Sequence, residues 1–164
     1  MNIVIGIPAY NEEKNIASII VKLKKIANTI IICDDGSTDA TAEIAKELGA
    51  IVISHSKNQG YGAAIKTIFL EAKNEQVDVL ITFDADGQHQ IKDISKVLEP
   101  INLGNADVVI GSRFLDNKTK IPTYRKIGVK LITQLTNITT GSNITDSQSG
   151  FRAYSKLALE KIIP

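Results

Sequence analysis

The chain is poor in residues that build covalent or metal cross-links. One cysteine, Cys33, in 164 residues excludes an intrachain disulfide and fits a reducing compartment. It lies in an apolar run and reads as a core residue, not a nucleophile. Two histidines and no Cys/His cluster argue against a structural zinc centre. Neither sign of charge dominates. Nineteen Lys and Arg against eighteen Asp and Glu leave a net charge of +1, so nothing draws the chain as a whole to nucleic acid. No apolar run approaches the length of a membrane span, and no signal-peptide pattern opens the chain. The rest is 43% hydrophobic and 23% charged, which suits an ordinary core, and the length suits one domain.

One stretch organises the sequence: Val79-Leu80-Ile81-Thr82-Phe83-Asp84-Ala85-Asp86-Gly87-Gln88-His89. A short apolar run with Val, Ile, Thr and Phe reads as a buried strand. It ends in two carboxylates at i and i+2. Two anions so close repel unless a cation lies between them. A hard divalent ion suits them, because Mg²⁺ takes carboxylate oxygens and shares its remaining shell with water and phosphate. The other reading is a turn in which Asp84 and Asp86 satisfy nearby backbone N–H groups.

Apolar, β-type runs alternate with helical patterns along the chain. Strands are expected at residues 3–7, 29–33, 51–54, 79–83 and 107–110. Helices are expected after Asn11, which reads as a cap, at about 40–48, 63–73, 91–103 and 122–139, and at 155–163. Strands apolar throughout and separated by helices mean a parallel sheet covered on both faces. Ligands bind such sheets outside the carboxyl ends of the strands. Pro8 to Glu12, Asp34-Asp35, Gly60-Tyr61-Gly62, Asp84-Ala85-Asp86 and Gly111-Ser112-Arg113 all fall at such ends. No Gly-x-Gly-x-x-Gly follows the first strand, and no Walker-type loop is present. Gly60-x-Gly62 either admits a phosphate to the backbone or forms a tolerant turn. Asp34 and Asp35 read as acceptors for a ribose diol or base N–H, or as caps of the next helix. Tyr10 reads as a face for base stacking or as a packed loop aromatic.

Five motifs stand in one order: Pro8-Ala9-Tyr10-Asn11-Glu12-Glu13, Asp34-Asp35-Gly36-Ser37-Thr38-Asp39, Asp84-Ala85-Asp86-Gly87-Gln88-His89, Gly111-Ser112-Arg113 and Ser149-Gly150-Phe151-Arg152. In this they resemble inverting family 2 glycosyltransferases of the GT-A fold, and most of all dolichyl-phosphate mannose or glucose synthases and their polyprenyl-phosphate relatives. The resemblance implies an α/β/α sandwich with a mostly parallel central sheet. It covers 1–164 as a single GT-A catalytic domain and implies further C-terminal elements beyond this chain.

The resemblance also implies roles. Pro8, Ala9, Tyr10, Glu12, Asp34 and Asp35, with Asp84 and Ala85, would hold the donor nucleotide. Asp84, Asp86 and Gln88 would hold Mg²⁺ or Mn²⁺ on its diphosphate. Arg113, Arg125 and Arg152 would meet an acceptor phosphate, and Asp146 lies near the place of the family's general base. The partners implied are a nucleoside diphosphate sugar, such as GDP-mannose or UDP-glucose, and a polyprenyl or dolichyl phosphate. No nucleic acid is implied.

These residue types suit the chemistry. A departing nucleoside diphosphate needs a cation, and an anionic acceptor needs guanidinium groups. Ile127, Leu131, Leu135 and Ile138 recur at helical spacing beside Arg125, Lys126 and Lys130. Such a helix lies on an anionic membrane surface or packs on its own domain. A cytoplasmic protein, peripheral to the inner face of a membrane, is therefore expected. Three alternatives stand beside this reading: transfer to a hydroxyl with Asp146 as base, a non-catalytic nucleotide-sugar binding module, and a haloacid dehalogenase-type phosphohydrolase with Asp84 as nucleophile.

Overall fold

The computed structural model describes residues 1–85, 91–115 and 123–163, with side chains from residue 126 in the last segment. β1 (Ile3–Ala9), β2 (Thr29–Asp34), β3 (Ile51–Ser54), β4 (Val79–Thr82), β5 (Val108–Ile110) and β6 (Arg152–Ser155) form one sheet in the order 3-2-1-4-6-5. β1, β2, β3 and β4 run parallel, and β6 is antiparallel to both β4 and β5. The expected mostly parallel sheet is what forms.

The strands are apolar on both faces because both are covered. Ile5, Ile7, Ile32 and Ile81 pack with Ile16, Ile20 and Leu23 of α1 (Glu13–Leu23) and with Ile94 and Val97 of α4 (Ile94–Asn102). Val4, Ile31, Cys33 and Leu80 pack on the other face with Ala64, Ile68 and Phe69 of α3 (Tyr61–Asn74) and Leu159 of α6 (Lys156–Ile162). Gly6 lets α3 approach β1: a Cβ there would overlap the Ile68 side chain. Cys33 is a core residue, as its surroundings suggest. Burial pushes its thiol up to about 11, the Thr67 hydrogen bond opposing and Asp35 and Asp34 adding to the rise.

Four details depart from the sequence reading. Asn11 is not a helix cap. It has a left-handed φ of 55°, and its Oδ1 accepts the Thr38 N–H at 2.9 Å, tying the turn after β1 to the turn after β2. α3 begins at Tyr61, two residues early. The helix expected at 91–103 is a 3₁₀ turn (Ile91–Asp93) that runs into α4. β6 was not expected. Arg-Ala-Tyr-Ser is four residues with no long apolar run, and its strand character comes from lying between β4 and β5.

Candidate active site

The carboxyl ends of β1, β2, β4 and β5 and the amino end of β6 make one rim. The turns after β1 and β2 are laced together there. The Asn11 N–H donates to Ser37 Oγ at 2.9 Å, and the Glu12 N–H donates to Thr41 Oγ1 at 2.8 Å. The Ser37 N–H closes a turn on Asp34 Oδ1 at 3.1 Å. Gly36, at φ +77°, has no room for a Cβ against the backbone of Lys57 and Asn58. Much of what makes these two motifs recognisable therefore builds the rim.

Beside this lacing lies a cavity of about 370 Å³. Pro8 and Glu12 from the first turn, Asp84 and Ala85 after β4, Tyr61 at the start of α3, and Gln148 and Gly150 before β6 line it. Asp84 Oδ1 is 3.4 Å from the Tyr61 hydroxyl. Burial and the Asp84 charge push the Tyr61 phenol well above its ordinary pKa, with Arg152 pulling weakly the other way. Gly150 is fitted to this corner. A Cβ there would fall well inside contact with both Asp84 oxygens and the Tyr61 hydroxyl. The Gly150 carbonyl is held by Thr82 Oγ1 at 2.6 Å, and Phe151 meets Phe83 edge to face at 5.6 Å. A second cavity, of about 260 Å³, shares the wall of Tyr61, Gln148 and Gly150, and Arg152 borders it.

The family model for glycosyl transferase family 2 matches residues 4–163. The chain belongs to that family. The UDP-N-acetylglucosamine–dolichyl-phosphate N-acetylglucosaminyltransferase of Methanococcus voltae is 40% identical over 174 residues, which cover 94% of this chain and 69% of that one. The polyprenol monophosphomannose synthase of Mycolicibacterium smegmatis is 32% identical over 166 residues, which cover 95% of this chain and 62% of that one. Glucosyl-3-phosphoglycerate synthase of Mycobacterium tuberculosis, solved with Mn²⁺, UDP and glucosyl-3-phosphoglycerate, superposes with a TM-score of 0.72 at 21% identity. That match covers 94% of this chain and 56% of the other, and the likeness fixes the fold as GT-A. The haloacid dehalogenase reading falls with the family match.

In this family 2 glycosyltransferase the expected site residues divide into those at the cavity and those bound up in the protein. Pro8, Glu12, Asp84 and Ala85 line the cavity, and Tyr10 is exposed on the rim. Ala9 is buried, and its carbonyl accepts the Asp35 N–H at 2.8 Å. Asp34 is buried and closes its own turn. Asp35 is 4% exposed, and both of its oxygens accept from the protein: Oδ1 from the Gln59 N–H at 2.9 Å and from His55, Oδ2 from the Gly60 N–H at 2.8 Å. Its burial raises the pKa. The bonds from Gln59, His55 and Gly60 outweigh that and hold the carboxyl below the usual range. Asp35 thus ties the end of β2 to the residues just before α3. Asp86 and Gln88 lie outside the described residues, as does the side chain of Arg125 in α5 (Thr123–Thr140).

Asp146 belongs with the residues bound up in the protein. It is fully buried, and Arg113 forks onto it, Nε at 2.8 Å from Oδ2 and Nη2 at 3.0 Å from Oδ1. The backbone N–H groups of Arg113 and Gln148 also donate to it. A carboxylate so enclosed is an anchor for Arg113. Arg152 is similarly committed, donating to the Ser149 and Ser147 carbonyls at 2.8 Å each, so it braces the loop before β6. Sequence reasoning placed Tyr61 on the rim with Gly60 and Gly62 but gave its side chain no role, and it missed Gln148 and Gly150 as cavity walls. The signal for Gly150 was present in Ser149-Gly150-Phe151, but the need for a bare Cα comes only from Asp84 across the sheet.

Among the described residues no group of three His, Cys, Asp and Glu side chains could hold a metal. Asp84 is the one described member of the expected set. Its hard carboxylate, facing a cavity in a corner kept clear by a glycine, fits one ligand position of Mg²⁺ or Mn²⁺.

Proposed function

We propose that this glycosyltransferase moves a hexose-type sugar from a nucleoside diphosphate sugar to a polyprenyl phosphate, inverting the anomeric centre. The observation that carries this is the Asp84 corner: a carboxylate at the end of β4, with Tyr61 beside it and Gly150 clearing space, in a cavity large enough for part of a nucleotide sugar. The names of the relatives support the lipid-phosphate acceptor over a hydroxyl acceptor. So does the burial of Asp146, since a phosphate arrives already ionised and asks for no base.

Asp84, with Asp86 and Gln88, would hold the divalent ion, which neutralises charge on the departing diphosphate. Pro8, Glu12 and Ala85 would line the nucleotide's path, and Tyr10 would offer a face to the base. Arg113, fixed by Asp146, and Arg125 would stand on the acceptor side. Positioning and electrostatics then supply most of the rate.

α5 supports a membrane-facing acceptor. Its body-side contacts are polar: Thr133 meets Ser147 at 3.1 Å, and Asn137 bonds the Ile144 backbone. Its apolar stripe of Ile127, Leu131, Leu135 and Ile138 points outward, between 55% and 72% exposed, with Lys126 and Lys130 exposed nearby. No helix among the described residues is long and apolar enough to cross a membrane. We place the stripe on the membrane surface, on the cytoplasmic side that a reduced Cys33 fits.

The test is a panel of UDP- and GDP-sugars with Mn²⁺ or Mg²⁺, scored first for binding and then for transfer to a short polyprenyl phosphate. Metal-dependent binding of at least one donor, lost in Asp84→Ala, is the expected result, followed by transfer. Binding without transfer in a chain carrying the family's C-terminal elements would favour a non-catalytic module.

A further inference from the structure

We infer that His55 is a positioning residue of the donor site: together with Asp35 it holds the Gly60 turn that sets Tyr61 beside Asp84. The inference rests on the reading of the cavity as a nucleotide-sugar site.

His55 directly follows β3, and its side chain is 10% exposed. Nδ1 lies 2.7 Å from Asp35 Oδ1, and Nε2 lies 2.8 Å from Thr67 Oγ1 on α3. Asp35 is held ionised, so it has no proton to give, and Nδ1 must be the donor. Thr67, at the other ring nitrogen, fixes the plane of the ring. The His55 N–H also bonds the Asp34 carbonyl at 2.9 Å, so backbone and side chain are both pinned.

Asp35 passes this order on. Its two oxygens take the N–H groups of Gln59 and Gly60, the residues just before α3. Gly60 has φ +90° and ψ 163°, and a Cβ there would meet nothing within 4 Å. The Gly60 side of that turn is open, and the Gly60 N–H is held by Asp35 Oδ2 and, at 3.1 Å, by Asn58 Oδ1, so among the described residues the carboxylate is its one anchor from outside the turn's own residues. Tyr61 is the next residue. Its ring walls both cavities, and its hydroxyl sits at Asp84. A shift at Gly60 moves this wall and the neighbour of the proposed metal ligand together. Neither Arg113 nor Asp146 is among these links.

The test uses the full chain and three variants. His55→Asn keeps an N–H near the Nδ1 position, His55→Gln places its amide toward Thr67, and His55→Ala removes both. Donor affinity is measured by calorimetry with UDP-glucose, UDP-N-acetylglucosamine and GDP-mannose in Mn²⁺, and melting temperature is measured alongside. His55→Ala and His55→Gln should weaken donor binding about tenfold, the effect of losing one charge-assisted hydrogen bond. His55→Asn should stay within about threefold of the wild type by the same reasoning, even where its melting temperature falls with the others. Where the alanine variant fails to fold, the Asn and Gln pair carries the comparison. Equal donor affinity in all variants overturns the inference, as does a loss that follows melting temperature with no recovery in His55→Asn. A wild-type chain that binds none of the three donors overturns the cavity reading first and the inference with it.

Discussion

The single missing Cβ at Gly150 decides how close β6 can come to Asp84. The atoms it would strike are the ends of two side chains, not backbone, so a methyl group there displaces the site more than the fold. Gly150→Ala should fold with a melting temperature near that of the wild type yet lose metal-dependent donor binding, as calorimetry with Mn²⁺ would measure. Asp35 has the opposite character, a fold residue inside a binding motif. Its folded pKa lies below the ordinary carboxylate value near 4. Its contribution to stability is therefore complete above that ordinary value and fades as pH falls through the folded one. Asp35→Asn should be less stable at neutral pH and lose less stability on acidification, seen in urea unfolding midpoints from pH 7 down to about pH 3. Adjacent acids in a sequence give no sign of which faces a ligand and which faces the protein. Asp34-Asp35 was legible as a rim motif, but Asp35's commitment to Gln59, Gly60 and His55 depends on chain 20 to 25 residues away.

At the scale of elements, the strands and helices were legible wherever an apolar period ran long enough. β1, β2, β3 and β4 and the helices packed on them are such cases, because burial on two faces leaves an apolar run and burial on one leaves a 3.6-residue stripe. β6 was not, since a four-residue strand made by its neighbours carries no period of its own. α5 was legible as amphipathic but not in its facing. Its apolar stripe turns outward because Thr133 and Asn137 make the hydrogen bonds that dock it. That facing yields an expectation at its own scale. Leu131→Glu with Leu135→Glu should leave the melting temperature almost unchanged, since both side chains are more than half exposed. The same pair should abolish co-sedimentation with vesicles containing phosphatidylglycerol. Undiminished sedimentation would remove the helix from the membrane contact.

At the scale of the whole molecule, the Arg113–Asp146 fork joins the end of β5 to the loop before β6, 33 residues apart in sequence. Asp146 has no exposure, so removing Arg113 strands its charge, and removing Asp146 takes the forked carboxylate from an Arg113 side chain only 17% exposed. Arg113→Ala or Asp146→Ala should each cost about 3 kcal/mol of stability. Arg113→Met with Asp146→Leu should cost clearly less than the sum of the two, as chemical denaturation would report. Transfer activity lost in Arg113→Ala is therefore interpretable only beside the stability of the same variant.

The order in which the walls are made has its own outcome. Pro8, Tyr61 and Asp84 leave the ribosome early, but Gln148 and Gly150 arrive just ahead of a strand that must insert backwards between two already synthesised ones. During translation the chain therefore has an open shelf at this rim before Gln148 and Gly150 close it into a cavity.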